Sequence, residues 1–213
     1  MAGAAELRNE ARRRSSRIMP LSTNIAIVEQ TQGALSDYGS VPASFAVSAR
    51  LRVDVLSGGL GGFGLVEEPV QPAYVKDYDA DHDEGPTRWA KRWDICNWGV
   101  FAAFEGTVRV GGAVVAWKTD GVHMLEGRTD LGVLWDLRVR PERRRCGVGT
   151  QLFGAAVAWA RRRGCRQLKV ETHNTNVPAC RFYARQGCVL GAIHRRAYTE
   201  HPEEAMLLWY LDL

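Results

Sequence analysis

The stretch with the clearest chemical meaning is Arg143-Arg144-Arg145-Cys146-Gly147-Val148-Gly149-Thr150. It lies between an apolar run that reads as a buried strand and the start of a helical pattern, so the first backbone N–H groups of that helix have no partner within it. Gly147 and Gly149 let a ligand come close to the backbone. The helix N-terminus carries partial positive charge, and no Asp or Glu occupies the first turn to compete for it. The arginines before the glycines add donors suited to phosphate oxygens. Such a loop binds an anion. ATP and NAD fit it poorly: G-x-x-x-x-G-K-[ST] is absent, and Leu152 stands where the third glycine of a dinucleotide fingerprint would be.

Two carboxylates interrupt apolar runs: Asp136 within 133–139 and Glu171 near the end of 167–172. A buried carboxylate needs a reason. Proton removal is one. An ion pair is the other, with Arg138 sharing the Asp136 face by the strand period of two, or Lys169 sharing the Glu171 face. The sequence balances these readings evenly. Asp77, Asp79, Asp81, Asp83 and Glu84 form an acidic segment, ordinarily a solvated loop, which beside a binding site would attract a polycation. Trp89, Trp93 and Trp98 follow it, spaced for cation-π contacts or for core packing alike. Five cysteines contain no C-x-x-C pair and five histidines recur at no ligand spacing on one helix, so neither a disulfide framework nor a metal site is expected.

These residues need elements to hold them. From Phe45 the alternation Phe45, Val47, Ala49, Leu51, Val53, Val55 marks a strand with one buried face, and the core is expected to begin there. Residues 1–43 are basic and weakly periodic apart from 25–28, so they read as a loosely ordered extension, with 44–213 as one domain. A Gly-rich bend over 58–64 and a Pro-bearing stretch to Pro72 lead to the acidic segment. Residues 101–104 and 108–117 make a hairpin about Glu105-Gly106. Then come a strand over 133–139, a helix carrying Val148, Leu152, Ala155, Ala156 and Trp159, and a strand over 167–172: a βαβ unit with parallel strands. Arg161, Arg162 and Arg163 suit the negative end of that helix and Gly164 its C-cap. A short helix follows, with Asn176 as N-cap, Pro178 in its first turn and Gly187 past its end. Residues 188–198 and 205–211 close the chain as strands. The fold class is α/β with a mixed sheet.

At 213 residues, one domain with extensions is expected; 46% apolar and 24% charged residues are ordinary globular usage, and the net charge of +4 is mild. No run approaches the ~18 apolar residues of a membrane helix. Arg8, Arg12, Arg13, Arg14 and Arg17 precede Met19 without the apolar stretch of a secretory signal, so a cytoplasmic protein is expected.

Arg144-x-x-Gly147-x-Gly149 between strand and helix resembles the [QR]-x-x-G-x-[GA] motif of the GNAT superfamily of N-acetyltransferases. Asn176-x-x-Ala179-x-x-Phe182-Tyr183-x-x-x-Gly187 is similar to a second block of that family. The run from Asp136 to Val139, Glu171-Thr172 with Asn174 and Asn176, and the closing Leu207 to Leu211 resemble the streptothricin acetyltransferase branch, with His173 where a Gln is common. The resemblance covers about residues 99–213 well. It implies a mostly antiparallel sheet around a central parallel βαβ unit with flanking helices, and acetyl-coenzyme A as acetyl donor. Its pyrophosphate would lie on Arg144, Arg145, Cys146, Gly147, Val148, Gly149 and Thr150, with Asn176 and Tyr183 nearby and the strand amides of Leu137 and Val139 serving the pantetheine arm and thioester oxygen.

Acetyl transfer to an amine needs a base and an acid. The family motif gives Tyr183 the acid role: a phenol of pKa ~10 stays protonated at neutral pH and can donate toward a thiolate. Asp136 or Glu171 would take the proton of the amine. The acceptor expected is a primary amine of a cationic small molecule such as a streptothricin-like antibiotic, the modification that confers antibiotic resistance. A protein lysine or N-terminal amine is the alternative acceptor. A nucleic-acid binder built on Arg12 to Arg17 and Arg161 to Arg163 ranks last, because those arginines lack interleaved aromatics. No membrane partner is expected, and the oligomeric state, a homodimer included, is left open.

Overall fold

Apolar runs build two sheets in the computed structural model, which describes residues 24–80 and 85–213. The larger has seven strands: β1 (Ile25–Gln30), β4 (Gly99–Glu105), β5 (Val108–Ala116), β6 (Leu131–Val139), β7 (Gln167–His173), β9 (Met206–Asp212) and β8 (Val189–His194), in that spatial order. The smaller is an antiparallel ribbon of β2 (Ser44–Val55) and β3 (Phe63–Asp77). Every pairing in the large sheet is antiparallel except β6 with β7, the two strands of the βαβ unit. Helices α1 (Leu35–Tyr38) and α2 (Pro86–Arg92) lie on one face, and α3 (Val148–Arg162) and α4 (Val177–Arg185) on the other. The fold class is the one expected. No helix among the described residues is long and apolar enough to cross a membrane.

Each face has its own core. Leu152, Phe153, Ala156 and Trp159 of α3 and Tyr183 of α4 pack on Phe101, Val115, Leu134, Leu168 and Val170. On the opposite face Leu35 and Tyr38 join Trp89, Trp98, Val100, Val114 and Val133. Two glycines allow this closeness. A Cβ at Gly99 would lie 2.6 Å from the Trp159 ring, and one at Gly112 would lie 2.5 Å from the Tyr38 ring.

Two irregularities of β6 shape the site. Its pairing with β7 runs from Leu131 opposite Gln167 to Leu134 opposite Val170 and stops, although β6 continues to Val139 and β7 to His173. The strands therefore splay apart. On the other edge, Val114 faces Asp136 while Val115 faces Leu134, so Trp135 is the extra residue of a β-bulge. A bulge reverses the side to which the following residues point. Trp135 consequently packs with the α1/α2 core while Leu137 and Val139 join the α3/α4 core.

Three expectations are corrected. Residues 25–41 are not a loose extension: β1 pairs with β4 over six residues, Glu29 accepts a hydrogen bond from Trp159 at 2.9 Å, and Leu35, Tyr38 and Val41 are buried. An edge strand buries only alternate residues, which gave 25–30 its weak signal. The basic run before Met19 lies outside the described residues. The stretch over 63–77, taken as bend and Pro-bearing connection, is β3; its prolines are tolerated because both strands of a two-stranded ribbon are edges. Last, β8 ends at His194, and 195–205 is irregular.

Candidate functional site

The turn between β6 and α3 has the geometry an anion needs. Arg145 and Gly147 adopt left-handed backbone conformations (φ +64° and +84°), folding the chain over the start of α3. The N–H of Gln151 closes the first helical bond, on Gly147 O at 3.1 Å, leaving those of Val148, Gly149 and Thr150 without a partner inside the helix. No side chain caps α3 and its first turn holds no acid. Three free N–H groups and the positive helix end suit a pyrophosphate.

The arginines divide unequally. Arg143 is paired with Glu105. Arg144 donates to Val139 O at 3.0 Å and Ser44 O at 2.7 Å, so it ties the end of β6 to the start of β2, a structural use the sequence did not indicate. Arg145 is exposed, with no ion pair among the described residues, and Cys146 beside it is exposed too. Asn176 caps α4, its Oδ1 accepting from Ala179 N at 3.2 Å. That is the capping role its position predicted.

The splay opens the backbone of β6. Arg140 N donates to Val110 O of β5 at 2.9 Å, so by strand alternation Arg138 and Asp136 also face β5 while Leu137 and Val139 face the gap. The Leu137 and Val139 N–H groups therefore point where β7 no longer pairs.

Tyr183 comes from α4, below the same gap. It is 6% exposed, packed against Phe153 and Phe182, and its hydroxyl has no hydrogen-bond partner among the described residues. Burial pushes its pKa above the usual phenol range, and the Asp136 charge pushes further. Tyr183 is thus a protonated donor at neutral pH.

The two carboxylates have different fates. Asp136 Oδ2 accepts from Arg138 Nε at 2.8 Å and from Nη2 as well. Arg138 is buried, lies over the Tyr38 ring, and also donates to Asp79 at 2.7 and 3.2 Å and to Val41 O at 3.0 Å. Burial raises the Asp136 pKa while Arg138 opposes the rise. Asp136 is an ion-pair partner, one of the two alternatives open to it. Glu171 is not paired with Lys169, which turns to Glu126 at 2.7 Å. Its Oε1 accepts from the Tyr198 hydroxyl at 2.6 Å, and the residue is partly exposed.

Sequence reasoning missed what surrounds Glu171. The Tyr198 ring stacks on His173, 4.1 Å between centroids and 17° from parallel. His173 Nδ1 and Lys76 Nζ both meet Glu204 Oε2. Burial alone would raise the Glu204 carboxyl; these bonds overcome it and hold its pKa at about 2. Tyr198 and Glu204 come from the irregular segment and Lys76 from the ribbon, and no spacing links such distant residues. His201 and Glu203 approach Glu204 closely enough to share an ion, a grouping that spacing on one helix could not reveal, yet Glu204 Oε2 is already bonded to Lys76 and His173.

The acidic segment is partly committed: Asp79 pairs with Arg138 and Asp77 accepts from Asp79 N, while Asp81, Asp83 and Glu84 lie outside the described residues. The tryptophans pack. Trp89 and Trp98 are 5% and 3% exposed, with Trp135 between them and Trp93 at ring separations of 5.0 to 6.5 Å.

Comparison with known proteins agrees with this geometry. The Acetyltransferase (GNAT) family model matches residues 67–188. The streptothricin acetyltransferase of Escherichia coli is 30% identical over 154 residues, which are 70% of this chain and 76% of that protein. Streptothricin acetyltransferase A of Bacillus subtilis is 35% identical over 77 residues, so that match spans 35% of this chain and only 44% of the relative. Among solved structures, a nourseothricin acetyltransferase superposes with a TM-score of 0.69 at 26% identity, over 88% of this chain and 98% of that one. With the open N-terminal turn of α3, the splayed strands and these matches together, the chain belongs to the GNAT family of acetyltransferases and is an N-acetyltransferase that uses acetyl-coenzyme A.

Proposed function

We propose that the protein acetylates a primary amine of a cationic small molecule of the streptothricin kind, with Tyr183 as general acid and Glu171 as base. The observation that carries this reading is the likeness to a streptothricin acetyltransferase over 70% of the chain. The gap between β6 and β7, with the anion-binding turn at one end and Glu171 beside it, supports it.

Acetyl-coenzyme A, when bound, supplies an activated acetyl thioester. The N–H groups of Val148, Gly149 and Thr150 hold negative charge at the start of α3, and Arg145 adds a cation. The Leu137 and Val139 amides offer donors within the gap. A primary ammonium of pKa ~10.4 must lose a proton before it attacks, and Glu171 can accept it because one of its oxygens is uncommitted. Asp136 is set aside as the base because its Oδ2 takes two bonds from the buried Arg138 guanidinium, an ion pair that protonation of the carboxylate would break. As the C–S bond breaks and the amide C–N bond forms, Tyr183 donates its proton toward the departing thiolate.

Incubation with acetyl-coenzyme A and a panel of amines, read by free thiol release and product mass, tests the acceptor. Turnover is expected with streptothricin-like polyamines. Turnover confined to peptide or protein amines would replace this reading with protein acetylation.

A further inference from the structure

We infer that Tyr198 is a positioning residue for the reaction: its hydroxyl fixes the Glu171 carboxylate, and His173, held by Glu204, fixes Tyr198 in turn. The inference rests on Glu171 being the base.

Tyr198 lies in the irregular segment 195–205, where no regular backbone bonding holds it in register. Its placement comes from β7 instead. Glu171 and His173 are two residues apart on that strand and so share a face, and Tyr198 spans both, with its hydroxyl on Glu171 and its ring on His173. His173 is anchored behind by the buried Glu204, which comes from the same segment as Tyr198 and is itself paired with Lys76 of β3. One loop is thereby pinned twice to the end of β7.

A carboxylate needs such help because its terminal torsion is broad and nearly two-fold. A phenol bound to Oε1 at 2.6 Å fixes that torsion and leaves Oε2 for the amine proton. The other charged or titratable groups beside Glu171 are His173 and Lys169 on its own strand, Lys169 being spent on Glu126, and Tyr78 after β3, whose ring lies 5.2 Å from that of His173. None of these forms a hydrogen bond with Glu171 among the described residues, so Tyr198 alone orients it.

Tyr198→Phe keeps the ring on His173 and removes only the donor. Cofactor affinity and thermal melting are expected to hold, while kcat/KM for the acceptor falls about 10-fold. The loss should fall on kcat and leave the acceptor KM nearly unchanged, because a carboxylate free to turn still lets the amine bind but seldom faces its proton. A wild-type kcat in Tyr198→Phe, or a loss confined to KM, overturns the inference. Glu171→Gln separates the two claims: full activity there removes Glu171 as base, whereas a dead Glu171→Gln beside an unaltered Tyr198→Phe removes only Tyr198. His173→Ala should lower activity without deepening the loss in Tyr198→Phe, and additive losses would refute the clamp.

Discussion

Burial raises the pKa of both Tyr183 and Glu204, and what each side chain touches decides the outcome. Tyr183 has no hydrogen-bond partner for its hydroxyl among the described residues, so burial simply keeps the proton on. Tyr183→Phe preserves the packing against Phe153 and Phe182 and removes the donor. Its kcat should fall by ~10²-fold with the acetyl-coenzyme A Kd unchanged, and by less when an acetyl donor with a more acidic thiol is used. Wild-type turnover with both donors would make Tyr183 a packing residue. Glu204 is buried with partners, and its folded pKa of about 2 lies below the ordinary 4.5. A carboxyl lowered by folding stabilises the protein above its unfolded pKa, and that contribution is lost as pH falls through the folded one. The stability advantage of the wild type over Glu204→Gln should therefore be full at neutral pH, on the order of 3 kcal/mol, and shrink between pH 4.5 and 2. Urea titrations across that window measure it, and a gap independent of pH would contradict the assignment. At this scale the sequence offered Tyr183 and two carboxylates but not a choice between them. That choice depends on Arg138, Tyr198 and Asp79, brought together across the fold.

Helix α3 begins with an uncapped first turn that holds no acid, so the effects of substitution on stability and on cofactor binding are expected to diverge there. Thr150→Asp places a carboxylate where the helix end is positive. The helix should gain about 0.3 to 1 kcal/mol while the cofactor site acquires a repelling charge. Melting temperature is expected to hold or rise as acetyl-coenzyme A affinity falls at least ~10-fold by calorimetry, a fall equivalent to ~1.4 kcal/mol. Parallel changes in both would place the phosphates elsewhere. Gly147→Val tests the neighbouring turn. A Cβ there meets nothing within 4 Å, so the cost comes from φ +84°, which a β-branched residue resists, and from filling the approach to the helix end. Affinity should drop sharply, with a stability loss of about 1 to 2 kcal/mol. The elements that hold this site were legible: α3, its Gly164 stop, the hairpin of β4 and β5 and the Asn176 cap all follow local rules of period and capping. The splay and the Trp135 bulge were not, since both concern which neighbour a strand pairs with, and the run over 133–139 reads the same with or without them.

The whole molecule depends on its N-terminal described residues more than their composition suggests. The seven-stranded sheet begins with β1, whose six-residue pairing covers the outer edge of β4. Tyr38 and Val41 then cross to the far face, where the Tyr38 ring lies on Gly112 and Val41 O accepts from Arg138. Those contacts join the edge of the sheet to the ion pair beside the site. Gly112→Ala would force a Cβ against both the Tyr38 ring and the Phe101 carbonyl at 2.8 Å, and the carbonyl belongs to a paired strand that cannot retreat. Overpacking of this kind costs about 1 to 3 kcal/mol, visible as a lowered melting temperature. Removing residues 1–43 should be far more damaging. It deletes β1, uncovers the buried Trp89 and Trp98, and strips Arg138 of its Val41 carbonyl, so a loss of cooperative melting and of acetyl-coenzyme A binding is expected. Circular dichroism melts and calorimetry on residues 44–213 decide it. A cooperative transition with cofactor affinity near that of the full chain would mean that the ribbon and the seven-stranded sheet fold without β1 and α1, and that residue 44 is the true start of the acetyltransferase core.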